Sequence, residues 1–259
     1  MISPTTQPDP TKTPTWTVVI SRGQSRNPAK RSLEQSIADT ASQLDGVDVI
    51  VVPHLYDLPK GGESLEKLHA IASHLIVVSW IFPRAAHWVL DRNGVRGQFK
   101  PVAIGETEEE QEDESDQSAV DSDVDRVTDL FPRPDREIHC IDLKAEATLD
   151  RFTDEICRLI SGGEAEPPSE SPPQSLPIVG GQIVQVEEST KRRWYPVIDF
   201  DRCTNCMVCI VFCLFGVYGV DGAETILVEK PDNCRIGCPA CRRVCPEIAI
   251  FFPQHKAPA

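Results

Sequence analysis

No stretch of this 259-residue sequence is apolar for long enough to cross a bilayer: the strongest candidate, LIVVSWIF from Leu75, has only the length of a strand. The opening residues, MISPTTQPDPTKTPTW, contain no basic stretch leading into an apolar core and a small-residue cleavage site, so no secretory leader is expected. No basic run exceeds KRRW at Lys191, which argues against a nucleic-acid partner. A glycine-rich dinucleotide fingerprint is missing, and no serine, cysteine or carboxylate constellation marks a triad or a metal-hydrolase site, so no catalytic residue is named. These absences leave a cytoplasmic protein without a membrane span as the expectation. In a reducing cytoplasm the ten cysteines point to metal ligation more than to disulfides.

The formal net charge of −14 is unevenly spread, because eleven residues from Glu106 to Asp125 are acidic and none there is basic. Such a run repels itself and has too little apolar surface to fold, so a disordered acidic insertion is expected at about 106–135. Residues 1–15 read as a disordered tail, and SGGEAEPPSESPPQSLP from Ser161 reads as a flexible Pro/Ser/Glu-rich linker over 161–179. Between these segments the length favours two folded units, one over 16–160 and a smaller one over 180–259.

In the first unit, WTVVIS from Trp16, DVIVVPH from Asp48, HLIVVSW from His74 and EIHCIDL from Glu137 are β-branched runs suited to burial on both faces. PVAIG from Pro101 is a further strand candidate. Helices are expected from a Ser32 cap, with Leu33, Ile37, Ala41 and Leu44 on one face, and from Ser64, Pro83 and Thr148. The alternation implies right-handed crossovers and a doubly wound, flavodoxin-like α/β domain. The turn SRGQSRNP lies where such folds hold phosphate and offers Ser21, Gly23, Ser25 and Asn27 with Arg22 and Arg26. It matches neither the dinucleotide fingerprint nor the threonine-rich phosphate loop of flavodoxins, so it reads as an ordinary turn and cap, with FMN or a nucleotide as the alternative. Cys140 and Cys157 read as structural thiols, and His54 and His87 as packing or surface residues.

The C-terminal part of the chain contains a repeat. VIDFDRCTNCMVCIVFCLFGVYGV from Val197 and ILVEKPDNCRIGCPACRRVCPEIAIFF from Ile226 share a strand, three close cysteines, a fourth cysteine and another strand. Cys206, Cys209 and Cys213 recur at one constant offset as Cys238, Cys241 and Cys245, whereas the offset from Cys203 to Cys234 is shorter by a single position. The second copy therefore carries one inserted residue. Eight soft thiolates suit either iron–sulfur cubanes or two zinc ions, but zinc sites favour separated pairs over two triplets each followed by a fourth cysteine.

This region resembles the bacterial-type two-[4Fe-4S] ferredoxins over roughly Val197 to Phe252. The resemblance implies a small α+β domain with a pseudo-twofold repeat and two [4Fe-4S] clusters, the fourth cysteine of each run serving the other cluster. One cluster would take Cys203, Cys206, Cys209 and Cys245; the other would take Cys234, Cys238, Cys241 and Cys213. Leu214 stands where a proline usually follows the fourth cysteine, and three residues instead of two separate Cys234 from Cys238, where Gly237 offers a positive φ. The implied role is electron transfer, with the α/β domain docking a redox protein partner. The alternatives are a flavin- or nucleotide-dependent oxidoreductase with the clusters as an internal relay, and a protein whose clusters are structural or sensory.

Overall fold

A computed structural model of the chain describes residues 15–104, 124–145, 148–162 and 181–254. The expected tail up to Pro14, most of the acidic run and nearly all of the linker lie outside the described residues. Six strands, β1 (Trp16–Ser21), β2 (Val47–Val52), β3 (His74–Ser79), β4 (Gln98–Lys100), β5 (Glu137–Asp142) and β6 (Ile183–Gln185), form one parallel sheet in the order β4-β5-β3-β1-β2-β6. Helices α1 (Pro28–Ala41), α2 (Glu63–His69), α3 (Pro83–Arg92), α4 (Val127–Leu130) and α5 (Leu149–Ile160) connect or flank these strands. Alternate residues of the β-branched strands point to opposite faces. Val18, Ile20, Ile76 and Val78 pack with Ile37 of α1 and Phe152 and Ile156 of α5. Val19, Leu75 and Val77 pack with Leu68 of α2 and Trp88 and Val89 of α3.

The long strands stand where the apolar runs place them, but the boundaries differ in several places. The first helix begins at Pro28 and not at Ser32, because Asn27 Oδ1 accepts from Ala29 N at 2.9 Å and proline fits the first turn. The second begins at Glu63, one residue before Ser64. The edge strand is Gln98–Lys100 and not PVAIG, since Pro101 has no N–H to continue the ladder. Six-residue β5 takes the place beside β3 and leaves short β4 at the edge, so the order beyond β3 departs from a simple flavodoxin-like sheet.

Two differences change how the halves are joined. β6 falls within the segment assigned by sequence to the cysteine domain, yet it adds to the α/β sheet beside β2. The approach requires Gly181, whose added Cβ would lie 1.9 Å from Val47 O. In addition, residues 126–130, placed by sequence in the disordered insertion, form α4 and its cap and bind the cysteine region. Val127 N donates to Cys203 O at 2.9 Å, and Arg126 Nη1 donates to Arg202 O at 2.9 Å and to Glu247 Oε2 at 2.7 Å.

Described residues of the two units also touch directly. One apolar cluster contains Tyr56, Trp88 and Leu90 together with Tyr195, Val197 and Phe251. Tyr56 and Tyr195 stack at 4.2 Å, and each phenol bonds the other's backbone. Asp199, fully buried, pairs with Arg84 of α3 and lies 3.6 Å from Arg202. Burial raises the Asp199 pKa and the arginines oppose that shift, so the carboxylate depends on them.

Arg84→Ala, which leaves the buried carboxylate with Arg202 and the Asp201 N–H, is expected to cost on the order of 3 kcal/mol in denaturant unfolding. A second outcome concerns His87, buried against Trp88 and Phe99, whose pKa burial pushes down to about 3, helped by Arg133 and Arg84. The unfolded chain takes up a proton near pH 6.5 that the native imidazole refuses. This contribution is complete above about pH 6.5 and is lost as pH falls toward about 3, at up to about 1.4 kcal/mol per unit. Denaturation midpoints measured from pH 7 to 5 should fall, and His87→Leu should flatten that slope.

Candidate metal centre

The cysteine region is built from very short elements. β7 (Val197–Ile198) pairs antiparallel with β10 (Ile250–Phe251), and β8 (Tyr218–Val220) pairs antiparallel with β9 (Ile226–Val228). α6 (Val208–Phe212) carries Cys209 and ends at Cys213; α7 (Ala240–Val244), its counterpart in the second copy, carries Cys241 and ends at Cys245. The turns repeat in the same register. Asn205 (φ 57°) precedes Cys206 as Gly237 (φ 77°) precedes Cys238, and Gly216 (φ 62°) follows Cys213 as Ile248 (φ 50°) follows Cys245. Gly237 therefore adopts the left-handed conformation expected of the longer loop. The insertion is absorbed just ahead of it, where Ile236 is 84 % exposed.

Asn205 suits its position, since its side chain also accepts from Ile226 N at 2.8 Å and donates to Glu224 O at 2.9 Å, pinning β9 to the first cysteine run. Ile248 is β-branched and strained by about 1–3 kcal/mol at positive φ. The turn after Cys213 needs no proline at position 214, because Gly216 makes the reversal without strain.

The thiols fall into two neighbourhoods. Cys203 feels Cys245 and Cys206, Cys209 feels Cys203, Cys245 and Cys206, and Cys245 feels Cys206. Cys234 feels Cys241, Cys238 and Cys213, and Cys241 feels Cys213. Burial is the main cause that pushes the thiols up, to about 11 at Cys203 and about 12 at Cys209 and Cys234, and neighbouring sulfurs add to it. Backbone N–H groups act in the opposite sense, as where Ala249 N donates to Cys245 Sγ at 3.3 Å.

Thiols this hard to ionise become thiolates when a metal centre replaces their protons. Among the described residues no three His, Cys, Asp or Glu side chains converge closely enough to hold one metal ion. A zinc ion about 2.3 Å from every sulfur would demand that convergence, whereas a four-iron cube takes one thiolate on each iron. The donor set is soft, all sulfur, and lined by Ile198, Met207, Ile226 and Ile250 on the first side. These residues fit iron–sulfur cubanes.

A groove of about 740 Å³ opens over the second neighbourhood, between α6, Phe215, Tyr218 and Cys234, Cys238 and Cys241. Three residues of this environment escaped the sequence argument. Trp194 stacks on Phe252 at 5.1 Å and donates through Nε1 to Cys238 O at 3.3 Å. Asp199 sits under the first run, accepting through its backbone oxygen from Cys203 N at 2.9 Å. Tyr218 is buried beside Cys241. Its signal was present in the repeat, which sets tyrosine at a position occupied by Ile250 in the other copy.

At the alternative site, the turn after β1, part of the hydrogen-bonding capacity is used by the chain's own groups. Glu34, 4 % exposed, accepts from Gly23 N at 2.7 Å, Trp80 Nε1 at 2.8 Å and Arg31 Nη1 at 2.9 Å. A Cβ at Gly23 would stand 2.9 Å from the Trp80 ring, and a polar cavity of about 520 Å³ opens beside the turn, lined by Arg22, Gly23, Gln24, Arg31, His54 and Asp57 among others. A carboxylate holding the turn's N–H repels a phosphate that would seek the same donor. His54 and Cys140 are buried, and Cys157 is half-buried in α5.

No helix among the described residues is long and apolar enough to cross a membrane. No protein-family profile matches the chain, and no solved structure matches it. The sequence is 44 % identical over 77 residues, 28 % of this chain and 52 % of the relative, to an uncharacterized ferredoxin of Methanocaldococcus jannaschii. The chain thus spans about half the length of that relative. Together with the C-terminal cysteine cluster, this likeness supports a ferredoxin-like domain.

Proposed function

We propose that the protein is an electron carrier with two [4Fe-4S] clusters, one held by Cys203, Cys206, Cys209 and Cys245, the other by Cys234, Cys238, Cys241 and Cys213. The observation that carries this reading is that Cys203, Cys206, Cys209 and Cys245 line one cavity while Cys213, Cys234, Cys238 and Cys241 line the neighbouring groove, which Cys206 also reaches, so each set includes the fourth cysteine of the opposite run. The pairing of β7 with β10 and β8 with β9, and the two helices at equivalent places in the copies, support a pseudo-twofold domain. A cube with all four irons held by thiolates offers no open position to a substrate, so its chemistry is the gain and loss of one electron. The chain's part is to supply the thiolates, exclude water with an apolar lining and aim backbone N–H groups at sulfur. The α/β domain docks a redox protein. Because the interface between the units contains a buried ion pair and interlocked tyrosines, a partner held on that domain stays at a fixed distance from the clusters.

Protein purified or reconstituted without oxygen should contain about eight iron and eight acid-labile sulfide per chain and take up two electrons reversibly by EPR. Zinc without sulfide would overturn the reading, and irreversible reduction would favour structural clusters. Titration with FMN or NAD(P)H should leave the spectrum unchanged. Cys245→Ala should remove the signal of the cluster built on Cys203, and Cys213→Ala that of the other. The opposite pattern would refute the crossing of ligands.

A further inference from the structure

Several large apolar side chains of the cysteine region face water. Leu214 is 93 % exposed, Val211 84 % and Ile236 84 %, and Val208, Phe212 and Phe215 are exposed as well. Five of these six line the groove over Cys213, Cys234, Cys238 and Cys241, and Ile236 stands in the loop between Cys234 and Cys238. The repeat supplies a control for this composition. At the positions equivalent to Val211 and Phe215 the second copy carries Arg243 and Glu247, and Arg243 is exposed. The scaffold therefore accepts charge at these places, and the first copy alone presents an apolar face there.

The largest apolar patch that a monomer leaves in water is typically about 300–600 Å². Side chains of this size present roughly 150–200 Å² when fully exposed, so the six together offer on the order of 700 Å². Two copies of the face would remove about 1,400 Å² from water, within the roughly 1,200–2,000 Å² of a stable interface. The face is also uncharged, since no Asp, Glu, Lys, Arg or His occurs from Thr204 to Val220. In a two-fold contact one patch supplies both sides, so a charge near the axis would meet its like. A face without charge satisfies that condition, whereas a contact steered by the protein's field would carry charge around the docking point. Arg235, exposed beside Ile236, marks the edge of the face.

We propose that a second copy of this chain covers the face: two chains pair about a two-fold axis through α6 and the turn at Leu214, closing the groove over the second set of cysteines in each. Resting on the two-cluster reading, the pairing keeps water from that cluster and leaves the α/β domain as the surface open to a redox protein.

The test is analytical ultracentrifugation of the anaerobically reconstituted full chain, with iron and sulfide measured on every sample. At tens of micromolar the wild type should sediment with twice the 28.7 kDa of one chain. It should stay paired at high salt, because apolar burial is not screened. Val211→Asp combined with Leu214→Asp should keep its iron and sulfide and weaken pairing at least about tenfold. Val220→Asp, exposed but outside the groove, should leave pairing as it is. If the double variant loses its iron, hydrogen exchange of the wild type still decides: amides 208–215 should exchange more slowly in concentrated than in dilute protein, while those of α1 stay alike. A wild type monomeric at tens of micromolar, pairing that survives both aspartates with iron retained, pairing lost in salt or equally in Val220→Asp, or exchange at 208–215 that ignores concentration would overturn the proposal. So would a monomer that takes a different redox protein on this face. Wild-type protein without iron and sulfide would overturn the two-cluster reading, while its mass would still decide the pairing.

Discussion

The constraint on which the C-terminal half depends is the crossing of its two cysteine runs. Cys245 lies with Cys203 and Cys206, and Cys213 lies with Cys234 and Cys241, so neither set of sulfurs can assemble from one copy of the repeat. The regular structure here is minimal: strands of two and three residues and helices of five. Elements this short do not hold their conformation in isolation. Their geometry follows from the turns, which place left-handed residues ahead of the second cysteine and after the fourth in each run, and from whatever links the sulfurs at the centre. The strain at Ile248 persists because the pairing of β10 with β7 fixes the chain on its far side.

A domain with so little secondary structure gains from an external wall, and the α/β unit provides one. Phe251 packs edge-on against Phe82, Phe200 against Trp88, and Asp199 is neutralised by Arg84 from α3. On the other side, α4 reaches out of the α/β unit to cap the backbone at Phe200 and Cys203. The cysteine region is therefore gripped from two directions. This arrangement also assigns a purpose to three of the basic residues near it. Arg84, Arg126 and Arg202 are spent on buried carboxylates and carbonyls and contribute little to a field at the surface.

Legibility in the sequence followed the strength of local signals. Runs such as WTVVIS and HLIVVS are buried along almost their full length, so β-branched character alone located β1 and β3. The cysteine spacing was equally plain, and Gly237 betrayed its own conformation because few residues other than glycine sit comfortably there. β6 was missed because Ile183–Gln185 is three residues long and only partly buried, and its partner β2 lies far earlier in the chain. α4 was missed because VTDL has no periodicity to read, and its order comes from the hydrogen bonds Val127 and Thr128 make to a distant segment. The start of α1 was misplaced because Ser32 and Gln35 imitate a capping box, while the cap in use, Asn27 before Pro28, lies earlier.

The departures from internal symmetry share a pattern. Leu214 opposes Pro246, Gly216 opposes Ile248, Tyr218 opposes Ile250, left-handed Met207 opposes Pro239, and an extra residue precedes Gly237, yet the helices and the left-handed positions before the second cysteine and after the fourth stay in register between the copies. Backbone geometry is held in common because it aims sulfur, and an error of a single residue there would point a thiol away from its set. Side chains behind the sulfurs are under no such restriction, since many shapes fill an apolar wall. What they alter is polarity, exposure and hydrogen bonding around the sulfurs, the quantities by which a protein tunes the potential of a cluster on the proposed reading. A duplicated scaffold of this kind keeps the positions of its two sets of sulfurs alike and is free to make their surroundings different.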